Sequence, residues 1–276
     1  MGKGELVITN QENRLPVLQL SDLVKAYRIP GGTAEIVSNF CLSIYEGEYV
    51  SLLGHSGCGK STVLSMVAGL ISPTAGSIKT SRGKAEGTAV DSAMVFQKPC
   101  LLPWLTAFQN VMLALVQLPG LLRGQREQIA YANLALVGLA EAADKRPAQL
   151  SQGMQQRVGL ARAFSLSPRL LLLDEPFGML DGLTRIELQE ALIEILEQKE
   201  TSTLMVTHDV DEAIMMSDRI VLMTNGPAAS VGRILDVPFA RPRIREEILS
   251  LQEYYHLRAE LIDFLEHEMK KERIRQ

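Results

Sequence analysis

The segment Gly54-His55-Ser56-Gly57-Cys58-Gly59-Lys60-Ser61-Thr62 narrows the possible folds more than any other part of the chain. It has the spacing G-x-x-x-x-G-K-[ST], follows the apolar run Tyr49 to Leu53 and precedes a helical pattern from Thr62 to Leu70. Strand, glycine-rich loop and helix in that order form an anion cradle. The glycines let successive backbone N–H groups turn inward, and the positive end of the helix points at the same place. Lys60 adds a point charge suited to β- and γ-phosphates, and the Ser61 hydroxyl is a ligand for Mg²⁺. Cys58 lies inside the loop, where the helix terminus is expected to lower a thiol pKa.

The rest of the chain supports an α/β fold with a largely parallel sheet. Strand-like runs fall at Val17–Leu20, Phe40–Tyr45, Tyr49–Leu53, Ala93–Phe96, Leu170–Leu173, Thr203–Val206, Arg219–Met223 and Ala229–Leu235. Between Leu105 and Leu166 the strand signal stops, and three helical patterns replace it: Ala107–Gln117, Arg123–Val137 and Gln152–Leu166. This predicts a helical subdomain, about residues 100–167, inserted into a larger α/β domain of residues 15–238. Arg241-Pro242-Arg243 breaks regular structure. A charged helical tail then follows within 239–276, with Ile248, Leu251, Tyr255, Leu261 and Leu265 at helical spacing.

Composition sets outer limits. The chain has 276 residues, and Lys plus Arg (28) nearly balances Asp plus Glu (32), for a net charge of −4. That balance argues against nucleic acid or an anionic lipid surface held by bulk charge. No apolar run approaches the roughly 20 residues of a membrane helix. The start, Met1 to Asn10, lacks a secretory hydrophobic core. Three cysteines, Cys41, Cys58 and Cys100, form no disulfide framework, so a reducing compartment is expected.

Two further strand ends carry polar chemistry. Leu170 to Leu173 ends in Asp174-Glu175-Pro176, placing two acids where parallel α/β sheets bind ligands. Asp174 suits Mg²⁺, Glu175 can polarise an attacking water, and Pro176 ends the strand. The run Thr203 to Val206 ends in Thr207-His208, and His208 can reach a γ-phosphate or the water. Gln97, after Phe96, can reach Mg²⁺ or the same water.

Leu150-Ser151-Gln152-Gly153-Met154-Gln155-Gln156-Arg157-Val158 resembles the signature sequence of ATP-binding-cassette ATPases. With the phosphate loop, Gln97, Asp174-Glu175, Leu180-Asp181 and His208 in the same order, the resemblance covers Leu18 to Leu235. It implies a phosphate-loop nucleotide-binding fold with a mostly parallel core sheet, an antiparallel β subdomain and an inserted helical subdomain. It also implies two cassettes paired head to tail, each ATP lying between one phosphate loop and the other's signature. On that reading Ser151, Gly153 and Gln155 meet the partner's nucleotide, Asp181 couples the two sites, and Tyr27 stacks on adenine. Gln152 departs from the family, which usually has glycine there.

A cassette without a membrane span resembles bacterial importer subunits. The segments Gly54–Lys60 and Phe96–Trp104, with Thr224–Ala229 and Pro238–Arg243, resemble the nitrate, sulfonate and taurine group, and the last two of these, with Tyr254–Arg258, most resemble its nitrate and bicarbonate branch. That likeness implies an ATPase at the cytoplasmic face of a bacterial inner membrane. Its implied partners are transmembrane permease subunits and a second, non-identical ATPase with an extra regulatory domain; a periplasmic or lipoprotein substrate-binding protein takes part indirectly. Nitrate, with nitrite and cyanate, is the first expectation; bicarbonate, sulfonate or taurine are alternatives, and a soluble non-transport cassette is a remote one. Trp104 is read either as an anchor for a permease helix or as subdomain core.

Overall fold

The computed structural model describes residues 16–80, 83–84 and 92–275. The expected start of the ATPase domain at residue 15, and the polar Met1 to Asn10 segment, lie outside the described residues. Ten strands and eight helices are assigned among the residues described: β1 (Pro16–Ile29), β2 (Gly32–Tyr45), β3 (Tyr49–Leu53), α1 (Lys60–Val67), β4 (Ala75–Thr80), β5 (Gly83–Lys84) and β6 (Ser92–Val95) come first. After them come α2 (Ala107–Leu115), α3 (Arg123–Leu136), α4 (Gln152–Phe164), β7 (Leu170–Asp174), α5 (Gly182–Lys199), β8 (Ser202–Thr207), α6 (Val210–Met216), β9 (Arg219–Met223), β10 (Val231–Asp236), α7 (Arg245–Leu249) and α8 (Gln252–Arg275).

The strands form two sheets. One has the order β10-β9-β3-β8-β7-β6, and the other the order β2-β1-β4-β5. In the first sheet β9, β3, β8, β7 and β6 run parallel, and only β10 is antiparallel. Its central strands are buried along their whole length, as parallel strands covered on both faces must be. Successive residues serve opposite cores: Val50, Leu52, Leu170 and Leu172 face α1 and the hairpin β1–β2, whereas Leu53, Leu171 and Leu173 face α2 to α6 and the tail.

β3 and β9 match their sequence limits, and β6, β7 and β8 lie within one residue of theirs. The hairpin is longer than its apolar runs suggest, because β1 and β2 pair as far as Ile29 and Gly32, where the side chains are exposed. β4 gave no sequence signal, since its residues Ala75 to Thr80 are half-buried or exposed.

Helices α2, α3 and α4 pack on one another between β6 and β7 in chain order, around Val111, Leu115, Ala130, Leu134, Val158 and Phe164. Thr106 caps α2: its side chain accepts from the Gln109 N–H, and the Gln109 side chain accepts from the Thr106 N–H. Trp104 is 65% exposed, so it is not subdomain core.

The tail differs from one uninterrupted helix. A turn at Ser250 and Leu251, with N–H groups bonded to Glu247 and Ile248, separates α7 from α8. The break shifts the helical phase, so Tyr254, Leu257 and Leu261 are buried while Leu251 and Tyr255 are exposed. Before it, Arg243 is buried and donates to the carbonyls of Phe239, Ile214 and Met215, and Arg241 lies 3.9 Å over the Tyr49 ring. Arg241 and Arg243 both pair with Asp218, fixing where the tail leaves the body.

Candidate functional site

Parallel strands carry their successors to one edge, and here that edge gathers the phosphate loop after β3, Asp174 and Glu175 at the end of β7, His208 after β8 and Gln97 after β6. The phosphate loop joins β3 to α1 through Gly57 and Gly59, with φ of 84° and 101°. Gly59 caps α1 in a left-handed conformation, and a Cβ there would lie 3.1 Å from Val37 on β2. Glycine therefore meets two demands at this position, a positive φ and a neighbouring strand at close range.

Lys60 is buried. Its ammonium donates to the carbonyls of Gly54 (2.7 Å) and His55 (2.8 Å), folding back across the loop it serves. Ser56, Gly57 and Ser61 are exposed, His55, Gly59 and Thr62 half-exposed, and Gly54 and Cys58 buried. Burial pushes the Cys58 thiol above its usual range despite Lys60 close by, so the expected lowering of its pKa does not occur. Desolvation outweighs the Lys60 charge and the hydrogen bonds at this position.

The Ser61 hydroxyl donates to Asp174 Oδ1 at 2.9 Å, linking α1 to the end of β7. Asp174 titrates above the usual carboxylate range, chiefly through burial and partly through its neighbour Glu175. A hydroxyl, a carboxylate and the Gln97 side-chain amide form a hard oxygen donor set, which fits Mg²⁺ completed by phosphate oxygens and water. The described residues hold no cluster of three or more His, Cys, Asp or Glu of the kind that binds a metal without such help.

Glu175 is where the strand ends converge. Its Oε2 accepts from Gln97 Nε2 at 3.3 Å and lies 3.2 Å from His208 Nδ1. Its backbone is left-handed, with φ 44°, while its N–H donates to the Val206 carbonyl on β8. A non-glycine residue held there by a neighbouring strand's hydrogen bond is the kind of local strain found at functional sites.

The signature residues run from the cap of α4 into its first turns, as the helical pattern from Gln152 predicts. Ser151 caps α4 and accepts from the Met154 N–H at 3.2 Å, while Gly153 is buried in the first turn. A Cβ on Gly153 would come within 2.6 Å of Thr184 on α5. Gln152 is exposed, and the Gln155 amide donates to the carbonyls of Pro147 and Leu150. Asp181 caps α5, accepting from the Thr184 N–H at 3.1 Å, and this bond draws its carboxyl below the usual range. Tyr27 stands inside β1 rather than after it, opposite Ala34, 43% exposed and with Lys25 5.0 Å from its ring centroid.

A second polar group, which none of the sequence motifs marks, begins at Asp209 directly after His208. Asp209 caps α6 through the N–H groups of Asp211 and Glu212 and pairs with Arg185 of α5 at 3.3 Å. Arg185 also donates to the Leu180 carbonyl, which joins the residue before Asp181 to the residue after His208. The buried Glu212 carboxyl has its pKa pushed up to about 8, mainly by desolvation and next by Asp209. The spacing of Asp209 and Glu212 around the start of α6 was the available signal.

This site and fold define a nucleotide-binding cassette. Residues 37–178 match the family model described as ABC transporter. The bicarbonate transport ATP-binding protein CmpD of Synechococcus elongatus is 44% identical over 260 residues, 94% of each chain. The nitrate transport protein NasD of Klebsiella oxytoca is 46% identical over 252 residues, 91% of this chain and 96% of that one. Among solved structures, the dimeric ATP-binding cassette MJ0796, bound to ADP and Pi after hydrolysis, is similar with a TM-score of 0.72 and 31% identity, covering 80% of this chain and 98% of that one. The chain belongs to the ABC transporter family and is an ABC ATPase of the transport ATP-binding kind. No helix among the described residues is long and apolar enough to cross a membrane.

Proposed function

We propose that this chain hydrolyses ATP to drive an importer of a small inorganic anion, nitrate (with nitrite and cyanate) in the first place. The observation that carries the reading is the meeting of Gln97 and His208 on one oxygen of Glu175, at the sheet edge that bears the phosphate loop. Bicarbonate is an equal second reading, because CmpD and NasD resemble the chain almost equally.

In this proposal the loop N–H groups from His55 to Thr62 hold the phosphates, and Lys60 leaves the carbonyls of Gly54 and His55 for the β- and γ-phosphate oxygens. Ser61, Asp174 and Gln97 would hold Mg²⁺, which when bound neutralises charge on the phosphates. Glu175 orients and polarises the attacking water, and His208, sharing its Oε2, reaches the γ-phosphate. Tyr27 stacks on adenine. Ser151, Gly153 and Gln155 serve the ATP of a partner cassette, and Asp181 couples the two sites.

Residues 15–238 form the ATPase unit, with 100–167 as its helical arm, and 239–276 form the tail. The exposed Trp104, on the arm, suits a permease helix as an anchor. The partners are a permease pair at the cytoplasmic face of the inner membrane and a second, longer ATPase, with the substrate-binding protein acting through the permease. The near-balanced charge favours no nucleic-acid partner.

The test is reconstitution of the chain with its co-purifying membrane partners in proteoliposomes. ATP-dependent uptake of labelled nitrate supports the first reading, and uptake of labelled bicarbonate the second. ATP hydrolysis with no permease recovered in any preparation would overturn both.

A further inference from the structure

Helix α8 turns one stripe toward the body. Tyr254, Arg258, Leu261, Leu265 and Glu268 recur at intervals of three and four residues, the spacing that stacks side chains on one helical face. Along its length the stripe meets successive parts of the nucleotide site's framework, Tyr254 and Arg258 sharing one of them. The Tyr254 hydroxyl and Arg258 Nε both donate to Asp211 Oδ1 at 2.7 Å, at the start of α6 and three residues beyond His208. Leu261 is fully buried in the core shared with α6. The Leu265 carbonyl accepts from His55 Nε2, 2.8 Å away, inside the phosphate loop. The buried Glu268 carboxylate accepts from the Asn225 N–H at 3.1 Å, just after β9, and Lys271 donates to its other oxygen at 2.6 Å.

The sheet explains how one helix reaches both ends of the site. β8 and β9 are the parallel neighbours of β3 on its two sides, so the segments that follow all three strands emerge at one edge. A carbonyl only accepts, so His55 Nε2 carries a proton and one ring nitrogen of the phosphate loop is committed to the tail. Phe264 adds a steric lock: a Cβ on Gly232 of β10 would lie 2.5 Å from its ring, so the helix packs on bare backbone there.

We infer that α8 is a strap that positions the ATP site through two anchors: Glu268 and the Leu265 carbonyl set the phosphate loop through His55, and Tyr254 with Arg258 sets the His208 segment through Asp211. His55, Asp211, Glu268 and Arg258 are then positioning residues. This rests on the proposed ATP chemistry and adds to it a role for the tail. The two anchors act on different quantities. Loosening the Glu268 end weakens nucleotide binding, and loosening the Arg258 end slows hydrolysis by nucleotide-saturated protein.

The experiment measures the ATP Kd, with a fluorescent ATP analogue, and kcat at saturating ATP for the full chain and its variants. Glu268→Ala is expected to raise Kd about threefold to tenfold, the worth of one hydrogen bond, with kcat little changed. Glu268→Gln, which keeps an acceptor for Asn225, restores most of the affinity. Arg258→Ala is expected to lower kcat by about the same factor with Kd little changed. In a His55→Ala background Glu268→Ala should add nothing, because its effect travels through His55.

Folded Glu268→Ala protein with wild-type Kd, or an effect that adds in full to that of His55→Ala, overturns the proposal. If Glu268→Ala does not fold, hydrogen exchange on the wild-type chain decides. ATP should then slow exchange of the α8 amides around Leu265 to Glu268 together with those of the phosphate loop, and protection of the loop alone contradicts the strap. Wild-type protein that fails to bind ATP would refute the functional reading itself, an outcome separate from either result on the variants.

Discussion

At the scale of single residues, the site depends on side chains whose neighbours are already in place. Lys60 lies within 3 Å of two loop carbonyls, which in the proposed chemistry it exchanges for phosphate oxygens. Lys60→Ala is therefore expected to abolish nucleotide binding in a fluorescent-ATP titration while leaving the melting temperature near wild type. Retained binding would remove Lys60 from that role. Glu212 gives the pH prediction. Its carboxyl, with a pKa pushed up to about 8 by burial, keeps its proton at pH 7, whereas the unfolded chain releases it near the ordinary 4.5. The folded state holds that proton more tightly, so the resulting stability is complete below about pH 4.5 and is lost as pH rises through about 8. Glu212→Gln, which imitates the protonated acid, should flatten this decline in denaturant midpoints measured between pH 5 and 8. An unchanged slope would exclude Glu212 as its source. Much of the phosphate-loop chemistry could be read from residue types in order, because glycine, lysine and serine at fixed spacing leave few alternatives. Glu175, His208 and Gln97 were legible as strand-end groups aimed at one water, but the sharing of a single Glu175 oxygen was not, since it requires three strands to be adjacent and neighbour relations across a sheet are not written in any one segment.

At the scale of elements, legibility followed burial. β3, β7, β8 and β9 are buried on both faces and announced themselves as continuous apolar runs, whereas β4, with no buried residue, gave no pattern to find. Helix α5 did carry a readable signal, in Leu188, Leu192, Ile195 and Leu196 at helical spacing behind the capping Asp181, but the acids and bases between them obscured it. The tail shows the opposite failure. Its helical period was plain, yet the turn at Ser250 and Leu251 reset the phase and exchanged Tyr255 for Tyr254 on the buried side. Because Leu261 is completely buried where α8 meets α6, Leu261→Ala should cost about 2–5 kcal/mol of stability, seen as a lower denaturation midpoint. A loss below about 0.5 kcal/mol would mean that α8 is not packed there in solution.

At the scale of the whole molecule, the two sheets and the helical arm place the phosphate loop and the signature on separate elements, β3–α1 and α4, with different neighbours. In the proposed head-to-tail pairing both would serve one nucleotide, with the start of α4 at Ser151 and Gly153 offering a second set of N–H groups to an anion. MJ0796, which shares the fold, was solved as a dimer bound to ADP and Pi. Gln152 is exposed beside Ser151, and if the proposed pairing brings a nucleotide there and this side chain slows closure, Gln152→Gly is expected to speed hydrolysis. Steady-state rates of the two proteins decide that point.

In the proposed mechanism Glu175 drives hydrolysis at a site closed by ATP. This role is tested most directly by comparing wild type with Glu175→Gln for phosphate release and for ATP-dependent mass by size exclusion with light scattering. Glu175→Gln is expected to bind ATP, to release phosphate at no more than about one hundredth of the wild-type rate, and to accumulate as a dimer that wild type forms only transiently. Phosphate release by Glu175→Gln at the wild-type rate would contradict that role.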